Sequence, residues 1–177
     1  MDRILVSACL LGRPVRYNGT NKASCEEDVL RRWQREGRIV PVCPEVAVGF
    51  PTPRPPAEIC ADEGSGATAG APQGGDVLTG SARVVEDTGA DVSDLYLRAA
   101  RSTVQLAERH RCRYAVLTDG SPSCGSTFIY DGTFTGRTRS GAGTTTAALR
   151  EAGIAVWPET AIGELDALLN ERAEGSS

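Results

Sequence analysis

Histidine is almost absent from this chain of 177 residues, which has one histidine against six cysteines. Because histidine is the commonest metal ligand and the usual general base of hydrolases, this scarcity excludes metal sites built from several histidines. A Ser-His-Asp or Cys-His arrangement would have to use His110, which lies among charged residues at a predicted helix end and is interpreted as a surface residue. The chemistry therefore has to come from thiolates, carboxylates, hydroxyls and backbone amides.

Long apolar runs are also missing. No stretch approaches the ~20 apolar residues of a membrane span, and Ile4 to Val6 are too few for the apolar core of a secretory signal. With 40% hydrophobic residues, 24% charged residues and a net charge of -4, the composition is typical of a soluble globular protein, which we expect in the cytoplasm. The acidic balance weighs against nucleic acid as a partner, including whole tRNA.

The cysteines lack the close spacing of common metal and redox motifs. There is no C-x-x-C, and the closest pair, Cys112 and Cys124, is 12 positions apart. This spacing excludes zinc ribbons, thioredoxin motifs and ferredoxin runs. In a reducing compartment, six cysteines indicate metal binding or catalysis rather than a disulfide framework.

Predicted strands and helices alternate along the chain. Apolar runs predict parallel strands at 3–8, 38–42, 113–118 and 154–158, and helical spacing predicts helices at 24–36, 91–108, 144–152 and 162–172. A short strand is predicted at 81–85 and a hairpin over 128–136, whereas the Pro- and Gly-rich segments 50–56 and 64–75 are interpreted as loops. The pattern predicts an α/β fold: a single-domain, Rossmann-like parallel sheet with helices on both faces. We expect this domain over residues 1–160, and a C-terminal helix with a disordered tail over 161–177.

Three cysteines come at the ends of predicted strands. Cys9 follows the first strand, Cys43 follows the second, and Cys124 lies in the loop after the third. Ligands of open parallel sheets bind beyond the carboxyl ends of the strands, so these loops can bring three thiolates together. Three thiolates without a fourth protein ligand suit an iron-sulfur cluster with one open iron, or zinc with one further ligand. The alternative is that all three are small buried apolar residues.

The remaining cysteines and two polar residues complete the candidate set. Cys25 and Cys112 are interpreted as buried apolar residues, and Cys60 is placed in a loop without an assigned role. Glu45 and Ser121 flank two of the three strand-end cysteines, so each could reach a substrate bound there. Their alternative interpretations are an exposed loop carboxylate and a turn-forming hydroxyl.

Longer motifs carry a resemblance to a known family. They are SACLLG, VRYNG, VCPE, PRPPAEI, GGDVLTGSARVV, DGSPSCGSTFIYDGTFTG and GAGTTTAALREAGIAVWPE. In order and spacing, over about residues 3 to 159, they resemble the 2-thiouracil desulfidase family. The resemblance implies a 4Fe-4S cluster held by Cys9, Cys43 and Cys124 with one open iron, and it implies catalytic roles for Glu45 and Ser121.

The implied activity is an iron-sulfur dependent, non-redox desulfuration of a small thiolated base such as 2-thiouracil. Hydrolytic cleavage of the thiocarbonyl C–S bond would give the oxo base and hydrogen sulfide. Two departures from the family pattern, Asn18 in place of aspartate and Thr118 in place of an expected lysine, concern substrate contacts rather than cluster ligands. The competing hypotheses are a non-catalytic iron-sulfur or sulfur-carrier protein and a zinc-stabilised structural module.

Overall fold

A computed structural model describes residues 1–61 and 71–174 of the chain. The strands are β1 (Arg3–Ser7), β2 (Ile39–Val42), β3 (Ala57–Ala61), β4 (Ala82–Glu86), β5 (Cys112–Leu117), β6 (Phe128–Tyr130), β7 (Thr138–Ser140) and β8 (Ala155–Pro158). The α-helices are α1 (Glu27–Arg35), α2 (Pro44–Ala47), α3 (Gly74–Thr79), α4 (Ser93–Arg109), α5 (Thr144–Glu151) and α6 (Ile162–Glu174). None of the helices within these ranges is long and apolar enough to cross a membrane.

The central sheet has four parallel strands in the order β2-β1-β5-β8. The prediction of a Rossmann-like α/β fold is therefore confirmed. Pro41 lies in β2, opposite Val6. Because β2 is the edge strand of the sheet that the described residues form, it tolerates a residue that lacks a backbone N–H.

Helices cover both faces of this sheet. Alternate residues of a strand point to opposite faces, so Ile4 packs with Trp33 of α1 and Leu165 of α6, while its neighbour Leu5 packs with Leu149 of α5. Helix α4 lies on the same side as α5. The near-continuous apolar sequence of β1 is what a strand buried on both faces requires.

The strand order creates a crevice at the carboxyl edge of the sheet. The chain passes from β1 outward to β2 and later returns past β1 to β5, so the direction of winding reverses between β1 and β5. The loops that leave neighbouring strands on the two sides of such a point diverge and open a ligand crevice. The loops after β1, β2 and β5 therefore surround one site.

Two antiparallel pairs extend the domain beyond the parallel sheet. Strand β3 pairs with β4, and β6 pairs with β7 as the predicted hairpin. A third apolar cluster, which includes Phe50, Ile59, Val84, Tyr96 and Ile129, joins these pairs to α4. This cluster packs β3 and β6 beside the crevice.

Two local predictions were wrong. Cys60 lies in strand β3 rather than in a loop, because its backbone pairs with Arg83 of β4. The segment predicted as a loop over 64–75 ends in helix α3, which begins at Gly74. A Cβ atom at Gly74 would lie 2.2 Å from the carbonyl oxygen of Gly143, so this glycine permits close packing rather than loop flexibility. Residues 64–70 of that predicted loop, and 175–177 of the predicted disordered tail, lie outside the described residues.

Candidate active site

A cavity of about 460 Å³ opens at the carboxyl edge of the sheet. Its volume lies in the range of small-molecule sites, roughly 300–1,000 Å³. All five residues singled out from the sequence line this cavity: Cys9, Cys43, Glu45, Ser121 and Cys124. The structure therefore brings the whole predicted set together around one space.

Cys9 lies in a single 3₁₀ turn, Ala8–Leu11, that directly follows β1. Gly12 ends this turn with a φ of 82°, in the left-handed region that glycine adopts without strain. Cys9 is 7% exposed, and its Sγ lies 3.0 Å from the Oγ1 of Thr118. Thr118, which stands where the family resemblance led us to expect lysine, thus contacts a proposed cluster ligand.

The other departure from the family pattern lies outside the described lining of the cavity. Asn18 accepts hydrogen bonds from the backbone N–H and the hydroxyl of Thr20, at 3.2 and 2.6 Å. These contacts form a local turn at the surface. Of the two departures, Thr118 is therefore the one that changes the cavity wall.

Cys43 and Glu45 are presented by the short helix α2. Cys43 is the residue before the helix, and Pro44 occupies its first turn, where a missing N–H removes no helical hydrogen bond. The Cys43 Sγ lies 3.9 Å from the Oε2 atom of Glu45. Glu45 is 8% exposed, so the interpretation of this residue as an exposed loop carboxylate is wrong.

The loop that carries Ser121 and Cys124 is closed by Asp119. The Asp119 carboxylate accepts hydrogen bonds from the backbone N–H groups of Ser126 and Thr127 and from both of their hydroxyls. These contacts join the two ends of the loop and supply the buried Asp119 carboxylate with hydrogen-bond donors. Asp119 therefore orders the segment between β5 and β6.

Among the described residues, the hydroxyl of Ser121 accepts hydrogen bonds but donates none. Its Oγ accepts hydrogen bonds from the backbone N–H groups of Ser123 and Cys124, both at 3.1 Å. Accepting two hydrogen bonds polarises the hydroxyl and strengthens it as a donor. Since Ser121 lines the cavity, its O–H can be donated to a ligand bound there.

Burial raises the pKa of all three cavity thiols. The pKa of Cys9 and Cys43 lies above the ordinary value mainly because of desolvation, and the charge of Glu45 raises that of Cys43 further. The pKa of Cys124 lies well above its usual range because of burial, then the charge of Glu45 and the two other thiols. In the absence of a bound metal group the three thiols therefore stay protonated. Because metal ligands are thiolates, binding of a metal group has to be accompanied by release of these protons.

The donor set distinguishes between kinds of metal group. Within residues 1–61 and 71–174, no three His, Cys, Asp or Glu side chains lie close enough to ligate one metal ion. Zinc needs all its sulfur ligands at about 2.3 Å from one point. An iron-sulfur cluster takes each thiolate on a separate iron, so its three protein ligands need not meet at one point. The residues present therefore fit a multi-iron group better than a single zinc ion.

Glu45 is held by two side chains that the sequence did not single out. Arg54 donates from Nη2 to the Oε2 of Glu45 at 2.9 Å, and the Tyr96 hydroxyl donates to Oε1 at 3.1 Å. Arg54 lies within the PRPP segment and Tyr96 lies on α4, so neither is near Glu45 in the predicted secondary structure. Arginine is common in loops and tyrosine is common in helices, so no local sequence pattern identifies Arg54 and Tyr96 as partners of Glu45.

Aromatic side chains are concentrated at the cavity. Five of the nine Phe, Tyr and Trp residues of the chain line it: Tyr17, Tyr96, Phe128, Tyr130 and Phe134. Tyr17, Phe128 and Phe134 remain 43%, 39% and 38% exposed. Exposed large aromatic side chains around a concave site offer faces on which a planar group can stack.

The remaining predicted residues lie outside the lining of the cavity. Cys112 is buried in β5 as expected, and burial raises its pKa to about 11. Cys25 is exposed, so its interpretation as a buried apolar residue was wrong: it precedes α1 instead of lying on the helix's buried face. His110 follows α4 and accepts a hydrogen bond from Arg3 at 3.0 Å, outside the cavity that the thiols of Cys9, Cys43 and Cys124 line.

The fold and the site define an α/β protein with a thiol-lined ligand cavity at the reversal point of its sheet. Residues 4–161 match the sequence profile of the family described as 2-thiouracil desulfurase, and the chain belongs to this family. The chain is 41% identical to the uncharacterized protein YbbK of Bacillus subtilis (strain 168) over 162 residues, which cover 92% of this chain and 99% of YbbK.

A solved structure is also similar. The [4Fe-4S]-dependent thiouracil desulfidase TudS superposes with a TM-score of 0.79 at 41% sequence identity. The superposition covers 96% of this chain and 99% of TudS. The family resemblance inferred from the sequence motifs is thereby confirmed.

Proposed function

We propose that this protein is an iron-sulfur dependent desulfidase that converts a thiolated heterocycle, such as 2-thiouracil, to the oxo compound and hydrogen sulfide. The observation that carries the proposal is the convergence of three thiols, a carboxylate and a hydroxyl on one cavity. Membership of the 2-thiouracil desulfurase family and the similarity to TudS support it. The overall change exchanges the thiocarbonyl sulfur for the oxygen of water, so no electrons are gained or lost.

Cys9, Cys43 and Cys124 are the residues that would hold the cluster. When bound, a 4Fe-4S cluster with one iron free of protein ligands supplies a Lewis acid for the soft sulfur of a thiocarbonyl. The three thiols come from three loops of a rigid sheet, so their positions are set before any ligand binds. The hydroxyl of Thr118 can donate to the sulfur of Cys9 and stabilise its thiolate form.

Glu45 is proposed as the general base. Its carboxylate lines the cavity and accepts hydrogen bonds from Arg54, from Tyr96 and, at 3.9 Å, from the Cys43 thiol, which leaves a lone pair free to accept a proton. A carboxylate placed here can take a proton from the water that attacks the carbon of the thiocarbonyl. The proton then returns to the departing sulfur, so the base is regenerated.

Ser121 is proposed to orient the substrate. A pyrimidine offers carbonyl oxygens and ring nitrogens at its edge, and the polarised hydroxyl of Ser121 can donate to one of them. Phe128 packs over Gly120, where an added Cβ would lie 3.2 Å from its ring, and it presents an exposed face beside Ser121. Stacking on this face favours a flat heterocycle over an aliphatic thioamide.

The proposal is tested by reconstituting the protein with iron and sulfide without oxygen. We expect about four irons and four sulfides per chain, and repeated conversion of 2-thiouracil to uracil with equal sulfide release and no added reductant. Stoichiometric zinc without iron would support the structural alternative. Release limited to one sulfide per chain would identify a sulfur carrier, and a strict need for added electrons would overturn the non-redox reaction.

Replacing Ser121 with alanine should retain the iron and slow turnover about tenfold, because one donor to the bound ring is lost. Iron content and the kcat and KM of sulfide release measure the effect. Ser126→Ala is the matched control: Ser126 is buried in the same loop but lies outside the cavity lining, and its hydroxyl donates to Asp119 at 3.3 Å, so kcat should change by less than about threefold. Equal turnover losses in both variants would reduce the role of Ser121 to loop structure.

A further inference from the structure

Arg54 connects the loop after β1 to the loop after β2. Its guanidinium donates to the Oε2 of Glu45 at 2.9 Å and to the carbonyl oxygen of Val15 at 3.2 Å. Its backbone N–H donates to the carbonyl oxygen of Tyr17 at 2.8 Å. The side chain is 4% exposed, so these contacts form where water competes little. Arg54 therefore carries a fixed positive charge at the buried carboxylate.

Tyr96 reaches the same carboxylate from helix α4. Its hydroxyl donates to the Oε1 of Glu45 at 3.1 Å, and its ring packs edge-to-face against Phe50 with centroids 5.4 Å apart. Burial and the charge of Glu45 hold the pKa of Tyr96 well above its usual range. The phenol therefore stays protonated and acts as a donor to the carboxylate.

We propose that Arg54 and Tyr96 are positioning residues that together hold the carboxylate of Glu45 in one orientation beside the thiols. This inference rests on the proposed role of Glu45 as the base. The two donors act on different oxygens and come from different elements, so rotation of the carboxylate breaks at least one hydrogen bond. An ionised carboxylate offers about four lone-pair sites; Arg54 and Tyr96 use two and the Cys43 thiol donates to Oε2 at 3.9 Å, so one site remains for water.

The burial of all three groups makes the arrangement specific. Glu45 is 8% and Tyr96 3% exposed, and a buried carboxylate without partners is strongly disfavoured. Arg54 alone neutralises the charge but leaves Oε1 without a donor. Tyr96 supplies the second contact, which restricts the angle at which the carboxylate meets a water molecule in the cavity. Small misplacement of a catalytic group lowers the rate of the chemical step more than it lowers substrate affinity.

The first experiment compares Tyr96→Phe with Tyr114→Phe in the reconstituted protein. Tyr114 is also buried, and its hydroxyl accepts a hydrogen bond from Arg172 at 2.8 Å outside the cavity lining. We expect Tyr96→Phe to lower kcat about tenfold with KM within about twofold and unchanged iron content. Tyr114→Phe should leave kcat unchanged even if it lowers the unfolding temperature. Equal kcat in Tyr96→Phe and the unaltered protein would overturn the role of Tyr96.

The second comparison uses Arg54→Met and Arg54→Lys. Methionine removes the charge and should lower kcat on the order of 100-fold, whereas lysine keeps the charge without the planar fork and should recover part of the loss. In the Glu45→Gln background, Tyr96→Phe and Arg54→Met should cause little further loss of kcat, because they act through Glu45. Full, independent losses in that background would assign both residues a different role.

A third measurement separates this inference from the proposed function. In the full chain without metal, Arg54→Met should lower the unfolding temperature less in the Glu45→Gln background than in the unaltered chain, because each single change leaves a buried charge unpaired. If the decreases in unfolding temperature caused by Arg54→Met and Glu45→Gln are additive, the pairing of Arg54 with Glu45 is contradicted, independently of any activity measurement. Failure of the unaltered, iron-loaded protein to release sulfide would instead refute the proposed function, and with it the catalytic use of this positioning.

Discussion

Cys124→Ser is expected to lose the iron-sulfur cluster and all sulfide release together. Cys124 is 6% exposed and lies in a loop ordered by Asp119 and Ser121, so neighbouring residues cannot readily replace its sulfur. A serine oxygen is a hard ligand that stays protonated near neutral pH, whereas iron-sulfur clusters are held by thiolates. Iron and sulfide content after anaerobic reconstitution, the visible absorption of the cluster and the rate of sulfide release measure the effect.

The matched controls are cysteines outside the cavity lining. Cys25 is exposed before α1, and Cys112 is buried in β5 at the opposite end of that strand from the cavity. Cys25→Ser should leave iron content and turnover unchanged. Cys112→Ala should lower stability by about 1 kcal/mol or more through the small space it leaves, while the cluster is retained. A Cys124→Ser protein with full iron content and activity would remove Cys124 from the proposed ligand set.

Glu45→Gln should retain the cluster and lose turnover by about 100-fold or more. The amide keeps the shape of the side chain and one acceptor oxygen, but it cannot take a proton from water. A loss of that size corresponds to about 2.7 kcal/mol of transition-state stabilisation. The measurement is kcat for sulfide release at equal iron content, so that loss of chemistry is separated from loss of cofactor.

Glu58 provides the control for this substitution. It is also a buried carboxylate that lines the cavity, but its Oε2 accepts the backbone N–H groups of Gly132 at 2.8 Å and Phe134 at 3.1 Å. An amide oxygen can still accept these hydrogen bonds, so Glu58→Gln should change kcat by less than about threefold. Sulfide release at the unaltered rate by Glu45→Gln would remove Glu45 from the mechanism.

Local sequence patterns were sufficient for the parallel sheet and for the meeting of the thiols. The apolar runs of β1, β2, β5 and β8 mark strands buried on both faces, and the helices between them require parallel pairing. Cys9, Cys43 and the loop of Cys124 follow three of these strands directly. Because all parallel strands end at the same edge, their convergence follows from chain order alone.

Pairing between distant segments was not predictable in the same way. Strand β3 follows a proline-rich loop and pairs with β4 across a separation of more than twenty residues, which is why local patterns predict a loop at Cys60. Helix α3 begins with two glycines, which favour loops by local propensity, and it is stabilised by close packing at Gly143. In both places tertiary contacts overrode the local preference of the chain.

The sequence by itself determined the strands of the sheet, the three strand-end cysteines and the positions of Glu45 and Ser121 beside two of them, because each depends on residues that are close along the chain. Only the tertiary structure decided that Glu45 is buried and that Arg54 and Tyr96 hold its two oxygens. These contacts join a short helix, a proline-rich loop and α4, which are up to 51 residues apart. Such contacts depend on how the elements pack in three dimensions, and no periodicity or motif of the sequence encodes that packing directly.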